Sequence, residues 1–146
     1  MIYWLTGQPG AGKTTLANYL YEYFPLGSVI HIDGDDLRDM FDNKDYSEFG
    51  RRKNIERAQD IALFMNNKGF NVIVSLVSPY KDQRDKFKAK TDVIEVYVHT
   101  NEDRGRNNYH VTDYEPPTHD FIDIDTTYIT ESDSYYELLK KINIYE

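Results

Sequence analysis

The sequence predicts an α/β fold, a parallel five-stranded sheet with helices on both faces, three layers in all. Three observations carry that prediction. Short apolar, β-favouring runs alternate with helix-periodic segments along the chain, the order that a parallel sheet with crossover helices requires. The run over residues 71–78, Asn-Val-Ile-Val-Ser-Leu-Val-Ser, is almost continuously apolar, as in a strand buried on both faces. A glycine-rich stretch at residues 7–15 lies between the first strand and the first helix. With 146 residues the chain can form one domain with a proper core and is too short for two, so residues 1–146 are expected to be a single unit.

Ile2, Tyr3, Trp4 and Leu5 read as the first strand, and Leu16, Leu20 and Phe24 recur at helical spacing after the glycines. Between them stands Gly7-Gln8-Pro9-Gly10-Ala11-Gly12-Lys13-Thr14-Thr15, which fits the pattern Gly, four residues, Gly-Lys-Ser/Thr. Strand, glycine loop and helix together aim backbone N–H groups and a helix N-terminus at a polyphosphate. A chance glycine turn would lack those flanks. The fold is therefore expected to be that of a P-loop NTPase binding ATP. Lys13 would reach the β- and γ-phosphates and the Thr14 hydroxyl would ligate Mg²⁺.

Residues 25–28, Pro-Leu-Gly-Ser, stop the first helix, and residues 29–33 read as the second strand. That strand ends in Asp33-Gly34-Asp35-Asp36, carboxylates at the strand end where open α/β sheets place their chemistry. Asp36 is a plausible N-cap for a short helix over 37–41. A long helix is expected over 47–67, with Ser47 as N-cap and Ile55, Ala58, Ile61, Ala62 and Met65 as its apolar stripe. Arg51, Arg52, Lys53 and Arg57 on its first half are the densest positive cluster in the chain. A solvated face is the ordinary explanation for such a run. Its place directly after the acidic turn and Tyr46 favours a pocket for an anionic substrate.

The strand over 71–78 carries serines where many phosphate-loop proteins have an Asp for magnesium, so Asp33 and Asp35 are the expected suppliers of that carboxylate. A polar helix over 81–90, a strand over 93–98, a strand over 121–125 and a helix over 135–144 complete the pattern. Residues 101–117 are polar and aperiodic, long for a compact domain and so expected to cover a substrate.

Composition narrows the function classes. Seventeen Lys and Arg against 25 Asp and Glu give a net charge of −8, which argues against a nucleic-acid surface and against anionic lipid. The absence of cysteine excludes disulfides and Cys-type zinc sites and fits a cytoplasmic protein. The first strand is expected to start at residue 2, so no signal peptide is expected, and no apolar run approaches membrane-spanning length. A guanine-reading Asn-Lys-x-Asp segment is also missing, which argues against a GTPase.

Several of these stretches, in the same order, resemble the adenylylsulfate (APS) kinases. They are the phosphate loop, Asp33-Gly34-Asp35 with Leu37-Arg38, Tyr46-Ser47, then Arg51, Asn54-Ile55 and Arg57. Val74-Ser75-Leu76-Val77-Ser78-Pro79-Tyr80 with Arg84, Glu95-Val96-Tyr97-Val98 and Tyr114-Glu115-Pro116 follow. The loop is generic; Asp-Gly-Asp together with Ser-Leu-Val-Ser-Pro-Tyr is much more specific. The resemblance implies transfer of the ATP γ-phosphoryl group to the ribose 3′-hydroxyl of adenylylsulfate. It places Asp35 beside the acceptor hydroxyl, as base or magnesium partner, and Asp33 at the metal. It gives the phosphosulfate to Arg38, Arg51 and Asn54 and the adenine to Tyr46, where the family usually has Phe. Ile55, Val77, Ser78 and Tyr109 complete the substrate side, Ser78 at a position where some members carry a serine that becomes phosphorylated. Family members are often homodimers.

Between Val98 and Tyr114 the chain departs from the family. There the family has a longer lid, with an Arg-Asp pair, a Lys-Gly-Leu-Tyr-Lys-Lys-Ala-Arg-like run and a Phe-Thr-Gly-Ile-Asp segment whose Phe helps sandwich the base. Residues 98–117 form a shortened lid here, with Arg104 or Arg106 as the lid arginine, Arg104 being assigned to ATP, and Tyr109 in place of the Phe. Glu56 stands where the family has the first Arg of an Arg-Arg pair. Two alternatives stay open: a kinase of the same fold with another acceptor, such as the cytidine diphosphoramidate kinases, and a nucleotide-binding protein that has lost transfer. Intact Lys13, Thr14, Asp33 and Asp35 argue against the latter.

Overall fold

A computed structural model describes residues 1–145; the predicted domain end, Glu146, lies outside them. Its elements are β1 (Ile2–Thr6), α1 (Lys13–Tyr23), β2 (Val29–Asp33), α2 (Gly34–Phe41), α3 (Glu48–Asn67), β3 (Asn71–Ser75), α4 (Lys81–Lys90), β4 (Val93–His99), β5 (Phe121–Asp125) and α5 (Glu131–Tyr145). All four strand pairings are parallel and the order is β2-β3-β1-β4-β5, so the predicted five-stranded sheet forms with β1 at its centre.

Alternation along β1 builds both cores. Tyr3 and Leu5 point to one face, where Leu16 and Leu20 of α1 and Leu138 and Ile142 of α5 cover them. Ile2 and Trp4 point to the other, against Ile55, Ala58 and Ala62 of α3 and Phe87 of α4. A strand buried on both faces has to be apolar throughout, which is what the opening run provides.

Apart from one-residue extensions at the ends of β1, β4 and α5, three boundaries differ from the sequence expectation. The ladder of β3 ends at Ser75 instead of Ser78. Past it the chain turns, and Ser78 sits at φ 41° with its hydroxyl accepting from Trp4 Nε1 at 2.8 Å and donating to the Leu76 carbonyl at 3.0 Å. Helix α2 starts at Gly34 because Asp33, not Asp36, caps it by accepting from the Asp35 N–H. Gly34 also lets the helix start lie against β3, since a Cβ there would stand 2.8 Å from that of Leu76. Helix α5 begins at Glu131, ahead of the predicted Tyr135, because Thr130 receives the Asp133 N–H on its hydroxyl at 3.1 Å.

One buried charge network joins the far half of the sheet. Glu95 of β4 accepts from Arg84 Nε on one oxygen and from Lys88 Nζ on the other, both at 2.9 Å. Arg84 also donates to the Ser78 carbonyl at 2.6 Å and to that of Glu115. It thus ties α4, β4, the turn after β3 and the end of the 101–117 segment to one side chain. Glu95 and Arg84 are each about 2% exposed, so removing Arg84 leaves the buried Glu95 carboxylate with Lys88 alone and takes the donor from the Glu115 carbonyl. Arg84→Ala is expected to lower the unfolding free energy by about 3–5 kcal/mol in chemical denaturation. The surface change Lys53→Ala serves as the near-neutral control.

Candidate active site

A cleft of about 1350 Å³ opens at the carboxyl ends of the strands. The glycine loop forms its floor. Gly7 has no room for a side chain, because a Cβ there would stand 2.1 Å from the Val98 carbonyl oxygen. Gly12 caps α1 in the left-handed region, at φ 108°, a conformation that favours glycine.

The loop is braced from behind. The Ala11 carbonyl accepts from Thr126 Oγ1 at 2.8 Å and from Arg104 Nη1 at 3.2 Å. Arg104 also takes the Gly10 carbonyl at 3.2 Å and pairs with Glu102 at 2.6 Å. Gln8 pairs in both directions with the Val111 backbone, each bond 2.8 Å, which pins the 101–117 segment to the loop. Gly7, Gln8 and Ala11 thus hold the loop in place, whereas Pro9, Gly10, Gly12, Lys13, Thr14 and Thr15 line the cleft.

Lys13 folds back over the loop and donates to the Gln8 carbonyl at 3.0 Å. Burial, against the opposing pull of Asp33, lowers its pKa to about 8; Arg106 pushes the same way and Asp35 opposes. Arg106 lies across the loop, its Cβ near Gly10, and its guanidinium is 5.4 Å from the Tyr109 ring centroid. Among the described residues it has no ion-pair partner. The two arginines therefore differ in situation: Arg104 is committed to the loop carbonyls, and Arg106, against the Tyr109 ring, lies beside Lys13.

The acidic turn stands next to the lysine. Asp33 accepts from Thr14 Oγ1 at 3.4 Å and from Ser75 Oγ at 3.1 Å on one oxygen, and from the Asp35 N–H at 3.2 Å on the other. Ser75 is in turn 2.7 Å from His31 Nε2. Burial holds His31 below the ordinary imidazole range, against Asp33 and Asp36. Asp35 is exposed to the cleft. No group of three or more His, Cys, Asp and Glu among the described residues could hold a metal by itself. A hydroxyl with one or two carboxylates suits Mg²⁺, which keeps several waters and binds through substrate phosphates.

Arg38, Tyr46, Arg51, Asn54, Ile55, Val77, Ser78 and Tyr109 all line the same cleft. Arg38 donates to the carbonyls of Asn43 and Asp45, each at 3.1 Å, and its guanidinium lies 4.0 Å from the Tyr46 ring centroid. That loop packs on the first turn of α3 because Gly50 has no side chain; a Cβ there would meet the Asp45 carbonyl oxygen at 2.1 Å. Arg51 faces Asp113 of the 101–117 segment at 3.8 Å. Asn54 is buried, donates to the Gly34 carbonyl at 3.3 Å and has no partner for its Oδ1 among the described residues. The Ser78 hydroxyl points away from the cleft, to Trp4. Sequence reasoning gives no site role to Thr126, which belongs to no local pattern, or to Ser75, which it names only as part of the Ser-Leu-Val-Ser-Pro-Tyr run.

Residues 1–125 match the family described as adenylylsulphate kinase. An adenylyl-sulfate kinase of Burkholderia ambifaria is 40% identical over 104 residues, 66% of this chain and 57% of its own length. A cytidine diphosphoramidate kinase of Campylobacter jejuni is 35% identical over 100 residues, 66% of this chain and 59% of that protein. The chain thus spans about half the length of the curated relatives it matches, 57%, 50% and 52% for three of them. The structure of a Mycobacterium tuberculosis APS kinase in complex with AMPPNP and APS has a TM-score of 0.78 at 21% identity, over 97% of this chain and 96% of the other. A Sinorhizobium meliloti gluconokinase has a TM-score of 0.70 at 15% identity, over 97% and 90% of the two chains, so the shape speaks for the fold and not for an acceptor. Of the basic cluster on α3 only Arg51 lines the cleft, Arg52 being paired with Glu48 and Asp82, Lys53 with Glu56, and Arg57 lying over Phe41. It is the match over residues 1–125, together with the loop, the acidic turn and Arg51 at one cleft, that decides the family: this chain belongs to the adenylylsulphate kinases.

Proposed function

We propose that the protein transfers the γ-phosphoryl group of ATP to the 3′-hydroxyl of adenylylsulfate, giving 3′-phosphoadenylylsulfate and ADP. One observation carries the reading. The phosphate loop and the Arg38–Tyr46–Arg51–Asn54 group line a single cleft, with Asp33 and Asp35 also on its wall. Phosphoryl transfer asks a protein for positioning and charge neutralisation more than for covalent chemistry. Lys13 and Arg106 supply positive charge to the polyphosphate, Arg104 keeps the loop in shape, and Asp35 receives the proton of the acceptor hydroxyl. Thr14 and Asp33 would hold Mg²⁺, which when bound offsets the charge on the β- and γ-phosphate oxygens. Arg51 and Arg38 suit a phosphosulfate because a guanidinium bonds two oxygens at once. Tyr46, backed by Arg38 on one face, leaves its other face for a base.

A second reading is supported by the cytidine diphosphoramidate kinase relative and by the shortened lid, which lacks the family's Phe-containing segment. ADP release with ATP and Mg²⁺, measured against adenylylsulfate, cytidine diphosphoramidate and nucleoside monophosphates, separates the two. Turnover confined to a cytidylyl acceptor would sink the first reading. Asp35→Asn is expected to abolish transfer with ATP affinity kept, and unchanged turnover would remove Asp35 from the proton-accepting role. For Arg51→Ala the expected signature is a larger rise in the acceptor KM than in the ATP KM. Lys13 gives a pH test. Above about pH 8 the free protein carries it neutral, whereas bound polyphosphate favours the ammonium. Calorimetry should therefore find proton uptake on ATP binding near that pH, and an affinity falling by up to about tenfold per further pH unit.

A further inference from the structure

The strand end that lacks the common aspartate does something else. Ser75 ends β3 directly across the ladder from Asp33, the two being paired Cα positions in the parallel register. His31 lies two residues before Asp33, so both side chains emerge on the same face of the sheet. Ser75 is 2% exposed, and a hydroxyl that deep has to be hydrogen-bonded. It donates to Asp33 Oδ1 at 3.1 Å. A hydroxyl has one proton, so with that proton on Asp33 the 2.7 Å contact to His31 requires the imidazole to donate from Nε2. The chain of donation runs one way, from His31 to Ser75 to Asp33. Thr14 sends its own proton to the same carboxylate oxygen at 3.4 Å, which leaves its lone pairs for a cation. The second oxygen of Asp33 is fixed by the Asp35 N–H.

We infer that His31 and Ser75 are positioning residues that orient the Asp33 carboxylate for the metal–nucleotide complex. They make up on β2 and β3 for the missing strand-end aspartate. The inference rests on the assignment of Asp33 to the metal side under the proposed function. Partners behind a metal-binding carboxylate are commonly worth about 10–100-fold in metal affinity.

The test uses the full chain and a non-hydrolysable ATP analogue, titrated by calorimetry with Mg²⁺ and again with excess EDTA. The readout is the ratio of the two dissociation constants, the Mg²⁺ advantage, which needs no turnover. Ser75→Ala and His31→Leu are each expected to cut this advantage about tenfold, with affinity in EDTA unchanged. His31→Gln, whose amide nitrogen can donate from near the Nε2 position, is expected to restore most of it. A Tm lowered in Ser75→Ala and His31→Leu with the Mg²⁺ advantage intact overturns the relay and leaves an ordinary inter-strand contact. Asp33→Asn separates the two levels. If it loses the advantage while the Ser75 and His31 variants keep it, only the relay falls. If Asp33→Asn keeps the advantage, the metal-side assignment fails and the relay with it.

Discussion

A phosphate loop must turn its N–H groups toward a ligand, and that fixes where its carbonyls go. They point backward into the protein, where each needs a donor. Here Gly10 and Ala11 give theirs to Arg104 and Thr126, and Gln8 gives its carbonyl to Lys13. Lys13 is the loop's own residue at the start of α1, whereas Arg104 and Thr126 come from the segment after β4 and from the end of β5, strands on the far side of β1 from the acidic turn. The loop geometry is therefore a product of the whole sheet order. Gly7 shows the same dependence from another side, since its backbone lies where no side chain could pass Val98.

The 101–117 segment follows from this. It is fastened at several points: Arg104 on the loop, the two-way Gln8–Val111 pair, and Tyr114, whose hydroxyl is 2.8 Å from Thr6 Oγ1. Burial pushes the Tyr114 phenol well above its ordinary range, so it stays a neutral member of that contact. Between these anchors Tyr109 is about two-thirds exposed. A segment fastened in this way holds Arg106 and Tyr109 at the cleft without further rearrangement. The cost of ordering the segment has largely been met in folding.

Much of this was legible in the sequence because the signals are local. Strand, glycine loop and helix declare themselves within two dozen residues, and the two-faced burial of the sheet shows as apolar runs. The acidic turn and the basic helix start could be named, but only the fold shows that Arg51 alone of that cluster shares a cleft with the turn. What stayed illegible depends on contacts across the sheet. Ser75 stands in a telling run, but its contact with Asp33 shows only once β2 and β3 are paired, and Thr126 reads as loop until it meets Ala11. Arg104 and Arg106, two residues apart, cannot be told apart by composition; one is bound to the loop and the other faces Lys13. The cap is Asp33 in place of Asp36 because the Asp33 carboxylate is the one that accepts the Asp35 N–H, and Gly34 leaves room for that start beside Leu76.

The turn after β3 carries one more implication. The Ser78 hydroxyl is held between Trp4 Nε1 and the Leu76 carbonyl, and its own carbonyl is claimed by Thr6 and Arg84. A modifying enzyme cannot reach that oxygen while the turn is closed. Exposure would mean breaking the tryptophan contact and loosening the Arg84 network together, an opening whose frequency is set by local stability. Any covalent chemistry at Ser78 would then be timed by the breathing of the core, whatever the intrinsic reactivity of the hydroxyl.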